Sequence, residues 1–166
     1  MTKKDDTIEG LKLSFEEVFR HYDAQINTLR ILRETARTFF ASASLFVTFM
    51  ISLNIFFVSV EPAFQKQYNS SLFGLVFFYI ALLIVCVVSL IPSALFTPFP
   101  DDYDILTKSL CKSEPDRLAM MISAYLQCME CNAPIIIRKV RLIYLAGGLI
   151  GIIVILITFL ATIPKV

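Results

Sequence analysis

The sequence is poor in the residues and motifs on which enzymes depend. Its 166 residues include a single histidine, His21, which leaves no second histidine for a histidine-based metal site or a catalytic pair. It contains no HExxH, no GxSxG and no glycine-rich phosphate loop. A short acidic cluster, Asp101, Asp102 and Asp104, fits a solvated turn better than an active site. We therefore expect no enzymatic activity and no cofactor.

Charge is absent from three long stretches, residues 39–60, 72–97 and 142–163. A helix of about 20 apolar residues spans the roughly 30 Å hydrocarbon core of a bilayer and satisfies its own backbone polar groups there. The sequence therefore predicts an all-α integral membrane protein with three transmembrane helices. Because no stretch contains an ionisable residue, proton relays and ion-coupled transport are disfavoured.

The basic residues outside these stretches predict the orientation. Most lie before residue 39 or in 98–141, whereas the connection 61–71 contains only Lys66. The positive-inside rule places the N-terminus and 98–141 in the cytoplasm, and 61–71 and 164–166 outside. No secretory signal peptide is expected, because the first apolar stretch starts too far into the chain. The net charge of +1 gives no reason to expect nucleic-acid binding.

Two amphipathic stretches lie on the predicted cytoplasmic side. After a flexible segment, 1–13, Ser14 and Glu17 form a capping box that would start a helix over 14–38, continuous with the first span. A second helix is expected over 113–133, ended by Pro134. The two apolar stripes could pack on each other or lie flat on the bilayer. Mixed charge on the outer faces favours packing, which gives a cytoplasmic helical stalk.

Small and polar residues mark faces of the predicted spans. Four residues of the first span, Ser44, Thr48, Ser52 and Asn54, form either a packing seam between helices or the water-facing wall of an oligomeric pore. Gly147 and Gly151 form a GxxxG pair on the third span, and Ser89 and Ser93 a similar small pair on the second. These pairs predict close helix contacts, either within the bundle or between copies.

Four cysteines are present, three of them in the predicted cytoplasmic segment. Cys128 and Cys131 have the CxxC spacing of zinc and redox sites, with Cys111 and His21 as the remaining candidate ligands. A zinc site needs four ligands, and a redox CxxC usually opens a helix in a βαβ unit. We therefore expect inert thiols rather than a metal site.

Two short motifs resemble those of small bacterial helical membrane proteins. They are Tyr22-Asp23-Ala24-Gln25-Ile26 before the first span, where Gln25 replaces an expected lysine, and Asn132 followed by Arg138-Lys139 before the third. With the layout of spans, they resemble membrane effectors of bacterial anti-phage systems, the SLATT family and the Pycsar type. The resemblance implies an oligomeric effector that perturbs the bacterial inner membrane when infection is sensed. The chain has no room for a nucleotide-sensing domain, so the trigger would act through a partner or on the stalk.

These observations give two functional hypotheses. The first is a homo-oligomeric inner-membrane protein that forms or gates a pore, lined by Ser44, Thr48, Ser52 and Asn54. The second is a non-conducting membrane anchor that recruits a soluble protein through residues 14–38 and 113–133.

Overall fold

The computed structural model describes residues 3–52, 60–98 and 112–164. These residues form three α-helices: α1 (Lys3–Ser52), α2 (Gln65–Leu90) and α3 (Glu114–Thr162). The chain divides into two compact units. The amphipathic unit comprises Met1–Ile31 and Pro92–Arg138, and the apolar unit comprises Leu32–Ile91 and Lys139–Val166.

Helix α1 begins earlier than predicted. It starts at Lys3, so residues 3–13 are helical, and the Ser14 hydroxyl donates to the carbonyl of Gly10 at 3.0 Å. A serine that bonds the preceding turn lies inside a helix, so the predicted capping box at Ser14 is wrong. Polarity alone does not break a helix, and one glycine costs only about 1 kcal/mol.

Helix α2 is displaced toward the N-terminus relative to the predicted span 72–97. The turn Glu61–Phe64 leads directly into it, and the amide of Tyr68 donates to the carbonyl of Phe64 at 2.9 Å. It ends at Leu90 because the next residue, Ile91, precedes Pro92 and has the non-helical angles φ −55° and ψ 125°. Proline therefore ends this helix instead of kinking it.

Helix α3 begins as predicted and then passes through a predicted break. Ser113 precedes it, with Glu114 and Asp116 in the first turn. Pro134 lies inside the helix, so the expected interruption is wrong. A proline costs a helix interior about 3 kcal/mol, and packing of the turns on both sides offsets that loss.

Buried positions in the apolar unit recur every seven residues on all three helices. On α1 they are Ala36, Ala43 and Met50; on α2, Tyr68, Leu75, Leu82 and Ser89; on α3, Ala146, Ile153 and Leu160. A seven-residue period is the pattern of helices that pack with left-handed, coiled-coil-like crossings. Most of these side chains belong to one continuous core.

Among the described residues, α2 and α3 are long and apolar enough to cross a membrane, by length and composition. In the most apolar window of each, only 17% and 22% of the residues are buried within the chain. The core helix of a soluble protein would be mostly buried. The remaining predicted span, 39–60, is described except for residues 53–59.

Candidate functional site: outward faces and polar anchors

The hydroxyl row of α1 faces away from the core of the apolar unit. Ser44, Thr48 and Ser52 are exposed, and each donates to the carbonyl four residues earlier, at 3.3, 3.5 and 2.9 Å. Because the bonds stay within α1, the hydroxyls need no partner from another helix. Asn54, the fourth candidate, lies outside the described residues.

An open groove runs beside this row. It has a volume of about 530 Å³ and is lined by Leu45, Phe46, Thr48, Phe49 and Ser52. Leu45 is 69% exposed and Phe49 is 52% exposed. The outer face of α1 therefore combines hydroxyls with large apolar side chains, which no described residue covers.

The GxxxG pair of α3 also faces outward. Gly147 and Gly151 are exposed, and a Cβ added to either would meet nothing within 4 Å among the described residues. Among the described residues this pair therefore makes no close helix contact, and contact between copies stays a prediction.

The predicted pair on α2 does not form a helical face. Ser89 is buried, and its hydroxyl donates to the carbonyl of Val85 at 2.8 Å. Ser93 lies beyond the end of α2 at Leu90, so the two residues do not share a helix.

Lys139 closes the C-terminal end of α2. Its Nζ donates to the carbonyl oxygens of Ser89, at 2.9 Å, and of Ile91, at 3.0 Å. The last carbonyls of a helix lack intrahelical donors and carry partial negative charge. A lysine therefore supplies the missing hydrogen bonds, and its positive charge is attracted to that end of the helix. Lys139 lies seven residues before Ala146, in the row that also contains Ile153. That spacing was the sequence signal for its inward position.

Asn132 anchors the segment that follows α2 onto α3, within the amphipathic unit. It is 0% exposed. Its Oδ1 accepts from the amide of Phe96 at 3.0 Å, and its Nδ2 donates to the carbonyl of Phe96 at 3.1 Å. The side-chain amide thus bonds both the N–H and the C=O of Phe96. The sequence motif that contains Asn132 gave no sign of this partner.

Aromatic rings join α1 to α3 in the amphipathic unit. Tyr125 makes edge-on contacts with Phe15, Phe19 and Tyr22, with centroid distances of 5.8, 5.7 and 5.1 Å. Burial raises the pKa of Tyr22, and nearby Cys128 and Tyr125 add to that rise. The prediction that the two amphipathic stretches pack on each other is confirmed.

An ion pair joins the same two helices. Lys12 Nζ lies 2.9 Å from Glu114 Oε1, and both side chains are about half exposed. The hydrogen bond from Lys12 and its charge lower the pKa of Glu114. A pair this exposed contributes little to stability, because water screens the two charges. It nevertheless places the first turns of α3 against the part of α1 that was expected to be flexible.

A cleft of about 630 Å³ also lies between α1 and α3 in this unit. Its lining is largely apolar, with His21, Gln25, Thr28 and Glu130 as polar members. The Oε1 atom of Gln25 is buried and accepts no hydrogen bond from the described residues. A buried acceptor without a partner generally costs about 1–3 kcal/mol.

The two cysteines of the CxxC differ in exposure. Cys128 is buried and Cys131 is exposed, and both are free thiols. Burial raises the pKa of Cys128, as does Cys131 beside it. Among the described residues, no three of His, Cys, Asp and Glu group together as metal ligands would. Cys111 and the acidic cluster at 101, 102 and 104 lie outside those residues.

No protein-family model, no curated protein and no solved structure matches the chain.

Proposed function

We propose that this chain is an integral membrane protein that assembles into a homo-oligomer and forms or gates a pore. The large apolar side chains left outside the bundle, among them Phe73, Phe77 and Ile155, support its membrane location. In water each such side chain would forgo about 1.5–3 kcal/mol of burial, whereas lipid tails solvate it.

The unused glycine face of α3 supports assembly between copies. Small residues let two helices approach closely in a membrane, where packing rather than the hydrophobic effect holds helices together. Since no described residue comes within 4 Å of a Cβ added at Gly147 or Gly151, a second copy is the partner to which this face is suited.

The outward hydroxyl row of α1 is the single observation on which the pore proposal depends. In a ring of copies, Ser44, Thr48 and Ser52 would line a central path when this face turns toward the axis. Pores lined by small polar side chains need no charge to conduct. Asn54, the fourth predicted lining residue, lies outside the described residues and stays a prediction.

The proposed location and trigger follow from the distribution of basic residues and from the resemblance to anti-phage effectors. The membrane is the bacterial inner membrane, with the amphipathic unit in the cytoplasm and the C-terminus outside. The trigger, from infection or from a partner protein, would act on the amphipathic unit.

Ion flux through the purified protein in liposomes tests the pore. Ser44→Leu and Thr48→Leu should abolish or strongly reduce flux, because they replace polar lining with apolar bulk. Thr158→Leu is the matched control: Thr158 is an exposed hydroxyl on α3 with the same bond to the carbonyl four residues earlier, at 2.9 Å. Equal flux from all of these variants and the wild type, or none from the wild type under any stimulus, contradicts the pore.

The oligomer is tested separately by light scattering in detergent. Gly151→Leu should lower the copy number without unfolding the chain, because no described residue lies within 4 Å of a Cβ added at this position. Gly74→Leu on α2 is the control, since Gly74 is equally uncrowded but has no GxxxG partner. A monomeric wild type would reject assembly.

The cleft in the amphipathic unit supports a second candidate function, a non-conducting anchor for a soluble protein. Its apolar lining includes Ile137, which is 52% exposed. Ile137→Asp should abolish cross-linking of the partner in native membranes. If flux is absent in every variant while that cross-link depends on Ile137, the anchor is the better description.

A further inference from the structure

Basic side chains lie close to where α1 and α3 enter the apolar unit, at Leu32 and Lys139. Arg33 and Arg37 lie on one face of α1, four residues apart and just before its apolar stretch. Arg141 lies on α3 immediately before its own apolar stretch. The contact of Lys139 with Ser89 and Ile91 shows that this part of α3 lies at the C-terminal end of α2. The N-terminal end of α2 has one basic residue, Lys66.

The charges near these two entry points are not balanced within the chain. Glu34 pairs with Arg37 at 2.9 Å. From Thr35 to Ser52 on α1, and from Cys131 to Pro164, the described chain contains no acidic residue. Arg33 and Arg141 are exposed, and neither has an ion-pair partner among the described residues.

The chemistry of such a pair is specific. An arginine guanidinium presents a planar fork of N–H donors that binds phosphate oxygens at two points. Lys139 differs, because its donors are engaged with the carbonyls of α2. The available cations near these entry points are therefore guanidinium groups, next to apolar surface that the chain leaves uncovered.

We propose that Arg33 and Arg141 bind the phosphate groups of anionic phospholipids at the headgroup level, where the apolar unit meets the membrane surface. The inference rests on the membrane location in the proposed function and is independent of the pore. Each basic side chain near an anionic surface contributes about fivefold to binding, so the two together give roughly 25-fold.

Native mass spectrometry of the full chain measures this directly, by comparing the affinity of the first bound phosphatidylglycerol with that of phosphatidylcholine. The wild type should prefer phosphatidylglycerol by about 25-fold. Arg33→Gln with Arg141→Gln should bring the preference close to one. Arg33→Lys with Arg141→Lys should keep most of it, and guards against loss of folding in the glutamine variant. Arg20→Gln with Arg117→Gln removes the same charge from the amphipathic unit and should leave the preference unchanged.

The other outcomes are decisive. A preference that survives the glutamine pair, or that the control pair also abolishes, overturns the assignment to Arg33 and Arg141. Displacement of phosphatidylglycerol by an equal concentration of inorganic phosphate overturns the lipid as source. A chain that enters liposomes and conducts without any headgroup preference contradicts this inference alone. A chain that does not enter liposomes contradicts the membrane location, and this inference with it.

Discussion

The two units of the chain are held together by different kinds of contact. The amphipathic unit relies on aromatic rings around Tyr125, an amide that pairs with backbone and an ion pair at the surface. The apolar unit relies on a seven-residue row of aliphatic and small residues, with Lys139 at its end. Burial from water stabilises the first, whereas in lipid only packing would stabilise the second. The same truncation should therefore cost more in the amphipathic unit.

Tyr125→Ala should produce the largest loss. It removes one ring from three edge-on contacts. Because Tyr125 is only partly buried, we expect a loss of about 3 kcal/mol, the lower end of the range for fully buried aromatic residues in water. Thermal unfolding in detergent, followed by circular dichroism, measures the change in stability. Tyr144→Ala is the control, since Tyr144 is 78% exposed on the same helix and should cost little. Similar losses in both variants would remove the basis of the comparison.

Asn132→Ala should come next, at about 2 kcal/mol or more, because it leaves the amide and carbonyl of Phe96 without their partner. The same unfolding measurement applies, and hydrogen exchange at Phe96 should rise. Asn27→Ala is matched to it: Asn27 is an exposed amide whose only observed bond is from Arg30, at 2.9 Å. A loss no greater than that of Asn27→Ala would mean that the two-point contact does not hold the segment.

Leu82→Ala tests the apolar unit. Leu82 is fully buried, and in a soluble core this change costs about 2–5 kcal/mol. In detergent or lipid the hydrophobic transfer contribution is missing, so we expect about 1–2 kcal/mol. Ile84→Ala, on the exposed side of α2, should change stability little. A loss for Leu82→Ala as large as that for Tyr125→Ala would mean that folding of this unit transfers its core out of water, as in a soluble protein.

Glu114→Gln should have the smallest effect, and one that depends on pH. Because the pKa of Glu114 is lowered in the folded chain, its pair with Lys12 stabilises the fold above the carboxyl's unfolded pKa. This contribution is lost as the pH falls through the folded pKa. Wild type and Glu114→Gln should therefore differ slightly at neutral pH and converge in acid. If the difference in stability between wild type and Glu114→Gln persists in acid, it arises from packing of the side chain, because the carboxyl is then uncharged in both.

The sequence indicated the helical class and the pairing of the amphipathic stretches because both depend on local hydrophobic periodicity. It misplaced helix ends wherever tertiary contacts outweighed local signals. Polar residues 3–13 continue α1, and Pro134 remains inside α3. Pro92 ends α2 through a local effect, because it restricts the backbone of Ile91 sterically and needs no tertiary contact to do so.

The candidate site was less predictable. The hydroxyl and glycine faces could be read from spacing, but whether they face inward or outward depends on which row forms the core. The row Ala146, Ile153 and Leu160 takes that position on α3, which leaves Gly147 and Gly151 outside. Counting back by sevens from this row reaches Lys139 and Asn132. Their partners lie 36 to 50 residues away, so no local pattern reveals them.

The bond between Asn132 and Phe96 places an unequal constraint on its two positions. Asn132 contacts the backbone N–H and C=O of Phe96. Every residue except proline has the same backbone donor and acceptor. Any residue except proline at position 96 can therefore make these two hydrogen bonds. Position 132 is not interchangeable in this way, because aspartate lacks the donor, leucine lacks both groups and glutamine is one methylene too long.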